Sequence, residues 1–236
     1  AAKRTSDVRQ PSWLSLEHWR ACAERVPDEE LQELPCWGGL DLSATTDFTA
    51  FVLAFRLPAG RVAFKTWLWC PETTAAEAER KRAIPYLQWA KAGWVRLTPG
   101  DVVDYERVRA DLNEIVSAWQ VQQVAYDPWN AMSLVTALQG DGFNLVEFRQ
   151  SMAHFAAPSK AFEIGVVSHR FCHGAHPVLD WMASWVAIER DHAGNYKPTK
   201  AKSKGKIDGI VAAIMALALA DKAGDQMCIL ADRGFA

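Results

Sequence analysis

The sequence predicts an α/β domain on one mixed sheet: an antiparallel three-strand meander, then parallel strands, with helices on both faces. Three observations predict it. Three β-rich runs follow one another between Trp37 and Trp69, separated only by short turns. From Tyr105 onward helical and strand periods alternate, as in a parallel βαβ unit. The stretch Ile207 to Lys222 is apolar nearly all round, the pattern of a buried helix.

The elements follow in order. Residues 1–12 are polar and charged and read as a linker from an upstream domain, with 13–236 forming one domain. Ser15 opens a short helix to about Arg25, and Pro27-Asp28-Glu29-Glu30 opens a second helical or loop segment. Trp37 to Leu42 is the first strand. Phe48 to Phe55 and Arg61 to Trp69 form a hairpin about the turn residues Pro58-Ala59-Gly60. Thr73 to Ala92 has helical periodicity despite Pro85, and Thr98-Pro99-Gly100 is a turn. Tyr105 to Trp119 is an amphipathic helix with Val108, Leu112, Ile115, Val116 and Trp119 on one face. Val121 to Tyr126 is a strand, Ala131 to Leu138 a helix and Phe143 to Phe148 a strand. Ser159 to Gly165 and His176 to Val186 are helical, and Tyr196 to Lys206 is basic and turn-rich. A meander followed by βαβ units and a final helix is the ribonuclease H-like layout.

Bulk properties narrow the function. Half of the 236 residues are hydrophobic, enough for a substantial core and too many for a disordered chain. The formal charge of −2 carries no overall basic signature, so any nucleic acid must bind a local patch. The five cysteines are scattered, without a CxxC pair, which argues against a disulfide framework and for a reducing, intracellular setting. The polar start lacks the apolar core of a signal peptide. The longest apolar run, Ile210 to Ala220, falls short of the roughly 20 residues that span a bilayer, so no membrane is expected.

Three aspartates stand where a strand ends or a helix begins: Asp41, Asp127 and Asp208. Singly, each has an ordinary explanation as a strand terminator, a turn opener before Pro128, or an acid at a helix N-terminus. Jointly, they could meet at one end of the sheet. Carboxylates there would hold two divalent ions about 4 Å apart, which activate water and steady the leaving oxygen of a phosphodiester. A tight turn at Ser43 to Thr46 would bring Asp47 back towards Asp41 as a further acid. Lys197, Lys200, Lys202, Lys204 and Lys206 crowd the segment before Asp208 and would attract backbone phosphates, although such runs are commonly solvated loops. His169, Cys172, His173 and His176 have the wrong spacing for a zinc finger. Of the 11 tryptophans, Trp119, Trp129, Trp181 and Trp185 could stack on bases, but at helical spacing such residues are more often core.

A family resemblance joins these features. Gly39-Leu40-Asp41-Leu42-Ser43 with Thr46-Asp47-Phe48-Thr49-Ala50 resembles the opening of the nuclease domain of tailed-phage terminase large subunits. So do Thr98-Pro99-Gly100 with Val103-Asp104-Tyr105, Ala125-Tyr126-Asp127-Pro128-Trp129-Asn130 and Asp180-Trp181-Met182-Ala183-Ser184. Lys206-Ile207-Asp208-Gly209, leading into Ala212 to Leu217, resembles the family's third acidic motif. The likeness runs from about Trp13 to Asp221. It implies a ribonuclease H-like fold and a magnesium- or manganese-dependent endonuclease that cuts concatemeric viral double-stranded DNA during packaging. It places Asp41, Asp127 and Asp208 on the family's metal-binding acids, and Asp47 on a further acidic position. It implies an ATPase motor domain, a small terminase subunit and a portal as partners, in the cytoplasm of an infected bacterium. The likeness at His173-Gly174 implies that His173 packs or hydrogen-bonds near the cleft. Trp185 departs from the family, which often carries Asn there. No G-x-x-x-x-G-K-[ST] motif is present, so this chain is not expected to hydrolyse ATP.

The expected roles are Asp41 bridging two metals, Asp127 and Asp208 each on one, Asp47 orienting water, and Lys200, Lys202, Lys204 and Lys206 on nucleic acid. The alternatives are a non-catalytic DNA- or partner-binding module of the same fold, and a nuclease of the resolvase or integrase type.

Overall fold

The computed structural model describes residues 12–42, 47–81, 84–129 and 132–232, with side chains as far as residue 225. The expected linker, apart from residue 12, and the expected turn at Ser43 to Thr46 lie outside the described residues. Helices α1 (Leu16–Ala21) and α2 (Asp28–Gln32) lead into strands β1 (Pro35–Asp41), β2 (Thr49–Arg56) and β3 (Val62–Pro71). Next come α3 (Glu72–Arg80), α4 (Tyr86–Lys91) and β4 (Arg96–Thr98). Then α5 (Tyr105–Ser117), β5 (Gln120–Tyr126), α6 (Met132–Gly140) and β6 (Leu145–Glu147) alternate. The chain continues through α7 (Met152–Val167), β7 (Phe171–Cys172), α8 (Pro177–Trp185), β8 (Ile188–Arg190), β9 (Tyr196–Pro198) and α9 (Asp208–Asp232).

The main sheet runs β4-β3-β2-β1-β5-β6, with β7 also on β3. Strands β1, β2 and β3 form the antiparallel meander, and β4, β5, β6 and β7 each pair in parallel. This is the expected mixed sheet. Side-chain alternation divides the core between two faces. Trp37, Ala50, Val52, Ala54, Leu68 and Ala125 face the helix residues Ile210, Ala213, Ile214 and Leu217 of α9. Leu40, Phe51, Leu53, Phe55 and Val124 face α5 and α6 through Val108, Leu112, Leu134 and Leu138. Strand β2 is covered on both sides, which is why its sequence is continuously apolar rather than alternating. Among the described residues no helix is long and apolar enough to cross a membrane.

Two prolines sit in helical patterns and have opposite outcomes. The helix expected over Thr73 to Ala92 is two helices, α3 and α4, and Pro85 is the N-cap of the second. A proline lacks the N–H of the helical ladder and crowds the preceding turn, so it ends a helix that little else holds. Pro158 lies inside α7, which runs well beyond the expected Ser159 to Gly165. There Phe155, Ser159, Phe162 and Val166 are buried along one face, and this packing outweighs the roughly 3 kcal/mol cost of an interior proline. The basic, turn-rich segment opens with β9, which pairs antiparallel with β8 just upstream in a short hairpin. Strands β4 and β7 were not expected; each is too short for its period to register.

The histidine cluster has structural roles. His173 stacks on Trp19 with ring centroids 4.2 Å apart and is hydrogen-bonded to the Trp19 carbonyl. His169 pairs with His18 at 2.8 Å, and the Arg61 guanidinium lies 2.8 Å from the Cys172 sulfur. His173 follows β7, which joins β3 at Val62 and Ala63, whereas Asp41 lies across β2 from Leu68. The expected place beside the cleft is therefore not the one His173 takes.

His176 caps α8 by accepting from the Leu179 N–H at 3.4 Å. It is 6% exposed, and burial pushes its pKa down to about 4. The folded value lies below the unfolded value of about 6.5, so the unfolded chain binds more protons between those limits. Stability should therefore fall as pH drops through that window, by up to about 3 kcal/mol from this group. His176→Asn keeps a capping oxygen without titrating and should flatten the acid limb of urea-denaturation stability. An unchanged limb would contradict this assignment.

Candidate active site

The site begins with sheet register. Leu40 pairs in parallel with Tyr126, so Asp41 and Asp127 emerge side by side from neighbouring strands. Alternation from Trp37 through Gly39 turns Asp41 towards the face covered by α9. Helix α9 comes close because Gly39 has no side chain: a Cβ there would lie 2.0 Å from the Ala212 carbonyl oxygen. Asp208 is the first residue of α9, where the helix dipole favours an acid. This close packing carries it to Asp41.

The two carboxylates meet on one cation. The Lys200 ammonium is 3.1 Å from Asp41 Oδ2 and 2.5 Å from Asp208 Oδ1. Gln150 donates its amide N–H to Asp41 Oδ1 at 3.0 Å. The Asp41 and Asp208 side chains are only 4% and 1% exposed. Burial pushes the Asp41 pKa up to about 6, with Lys200 opposing and Asp208 adding to the rise. Burial also works against the charge on Lys200, but the two carboxylates outweigh it and its pKa is raised. Asp208 Oδ2 is buried without a hydrogen-bond partner.

Asp127 stands apart from this pair. It is half-buried, and its Oδ1 accepts from the Trp129 N–H at 3.1 Å, the local turn that Asp-Pro sequences favour. It lines a groove with Pro128, exposed Trp129, Arg149, Gln150 and Ser151. Gln150 thus connects the Asp127 groove to Asp41. Among the described residues no three His, Cys, Asp or Glu side chains are grouped closely enough to hold a metal. The structure therefore brings Asp41 and Asp208 together and sets Asp127 at the same sheet end, one strand over.

Asp47 forms an ion pair with Lys206. Both line a cavity of about 250 Å³ that reaches Lys200, Lys204 and Asp208, walled by Tyr86 and Trp181. Lys202 and Lys204 are exposed, whereas Lys200 turns inward to the acids and Lys206 to Asp47. Trp181 packs on Trp89, so it belongs to the wall. Sequence reasoning missed Gln150, a polar loop residue after β6 with nothing in its local pattern to mark it.

The donor set suits a hard divalent cation. It offers the oxygens of two carboxylates, one of them buried without a hydrogen-bond partner. Asp41 and Asp208 would hold such an ion, and Asp127 could join by leaving the Trp129 N–H.

Comparison with known proteins agrees with this architecture. Residues 5–223 match the family described as terminase large subunit, endonuclease domain. The chain is 33% identical over 211 residues to the terminase large subunit of Enterobacteria phage HK97, covering 89% of this chain and 41% of that protein. It is 27% identical over 221 residues to protein YmfN of Escherichia coli strain K12, covering 87% and 48%. The chain thus spans less than half the length of these curated relatives. The crystal structure of the HK97 large terminase superimposes with a TM-score of 0.78 at 33% identity, over 86% of this chain and 42% of that one. The magnesium-bound large terminase nuclease of thermophilic phage G20c shares the fold at a TM-score of 0.55 and 12% identity, over 88% and 98%. The sheet order, with its meander flanked by parallel strands, is the ribonuclease H-like arrangement of these nucleases. With nearly the whole length matched, the chain belongs to the terminase large subunit endonuclease-domain family.

Proposed function

We propose that this chain is a divalent-metal-dependent endodeoxyribonuclease that cuts concatemeric viral double-stranded DNA during genome packaging. The observation that carries the reading is the meeting of Asp41 and Asp208 on one cation, at the sheet end where Asp127 also emerges. Magnesium or manganese would supply an activated water and stabilise charge on the phosphate. Asp41, Asp208 and Asp127 would be the carboxylates that hold the metal. Gln150 orients the Asp41 carboxylate. Asp47 is assigned to the attacking water, and Lys202, Lys204 and Lys206 to backbone phosphates without regard to sequence. The working complex would include double-stranded DNA, an ATPase motor domain, the small terminase subunit and the portal, in the cytoplasm of the infected bacterium.

The purified chain should nick and linearise plasmid DNA with manganese or magnesium and lose this activity in EDTA. Absence of cleavage by folded protein across both metals would favour the non-catalytic, DNA- or partner-binding module. Lys200 between the acids is the observation that keeps that second reading in view.

A further inference from the structure

We propose that the Lys200 ammonium is an internal cation competing with divalent metal for Asp41 and Asp208, so that metal enters only as this side chain swings out. The inference rests on the metal-site reading above and deepens it. An ammonium bridging two carboxylate oxygens at 3.1 and 2.5 Å satisfies the same atoms a hard metal ion would bind. Without a cation, two buried acids this close repel each other and each loses its solvent.

The members of this cluster differ in freedom to move. Asp41 is fixed on a central strand and Asp208 on the first turn of a packed helix, both almost wholly buried. The Lys200 side chain is 43% exposed and projects from a surface turn after β9. That turn is pinned at its base. The Thr199 N–H donates to the Ala187 carbonyl at 3.0 Å, and the Ser203 hydroxyl donates to the Thr199 carbonyl at 2.8 Å. The backbone therefore stays while a flexible four-carbon stem leaves. A lysine that only contacted phosphate would have no reason to bridge both acids. Competition of this kind reduces apparent metal affinity by the fraction of molecules in which the ammonium occupies the site.

Calorimetric titration with manganese chloride, without DNA, tests the proposal. Lys200→Met should bind manganese about tenfold tighter or more than the unsubstituted chain, a change of about 1.4 kcal/mol. Lys204→Met removes an equal charge from the same cavity without touching either acid, so its smaller effect measures general electrostatics. Equal gains in the two variants, or no gain for Lys200→Met, would overturn the competition. Asp41→Asn tests the underlying site separately: manganese binding that survives it would remove the metal-site reading and this inference with it. A second measurement needs no variant. Manganese should raise the acetylation of Lys200 by a water-soluble amine-acylating reagent, read by peptide mass spectrometry, and unchanged labelling in manganese-bound protein would overturn the proposal.

Discussion

Asp208→Asn, and equally Asp41→Asn or Asp41→Ala, should lower plasmid cleavage by about a thousandfold or more while the protein stays folded. The magnitude follows from chemistry. A metal ion contributes several kcal/mol of transition-state stabilisation, and each 1.36 kcal/mol is a factor of ten in rate. Losing a ligand that positions the ion forfeits most of that. Stability should behave differently from activity. Asn has nearly the shape of Asp, and it removes one of two negative charges enclosed beside a single ammonium. Lys200 keeps the remaining carboxylate, and the repulsion between the acids disappears. The Asn variants should therefore denature within about 1 kcal/mol of the unsubstituted chain, or later, as expected where function stores unfavourable charge. Plasmid nicking with manganese and urea denaturation, made on the same preparations, check both halves. Undiminished nicking by either Asn variant would remove that aspartate from the chemistry.

The reach of the sequence follows from how each feature is encoded. The meander was legible because β1, β2 and β3 are long apolar runs joined by turn residues, and local pattern suffices for that. Asp41 and Asp208 were legible as candidates because each terminates or opens an element whose packing fixes where it points. Asp127 shows the limit. Its strand was readable and so was its turn chemistry, but the choice between facing the other acids and accepting from the Trp129 N–H depends on side-chain rotation. Lys200 stood out as one of a basic run, yet nothing local distinguishes an ammonium that reaches inward from Lys202 and Lys204, which face solvent. Gln150 acquires its role only when the end of β6 meets the end of β1 through β5. Likewise Pro85 and Pro158 look alike in sequence; the burial of Phe155 and Phe162 decides the second case, and that is a property of the assembled core.

Gly39→Ala should be the most disruptive single-methyl change at this site. The added carbon would sit 2.0 Å from the Ala212 carbonyl oxygen and 2.8 Å from the Ala216 nitrogen. Both are backbone atoms of α9, so no flexible side chain can yield. The helix must lift from β1 or tilt, which disturbs apolar packing along its length. Overpacking of this severity should cost about 3 kcal/mol or more in urea denaturation. The functional consequence is separate. Displacing α9 moves Asp208 away from Asp41, so Lys200 can no longer bridge them and a metal ion loses a shared pair of ligands. Molecules of Gly39→Ala that remain folded should bind manganese weakly and cut DNA poorly. Gly140→Ala provides the contrast, because a Cβ at Gly140 in α6 meets nothing within 4 Å. It should leave stability, metal affinity and cleavage unchanged. A Gly39→Ala protein as stable and active as Gly140→Ala would mean that close approach of α9 to β1 is not what brings the two acids together.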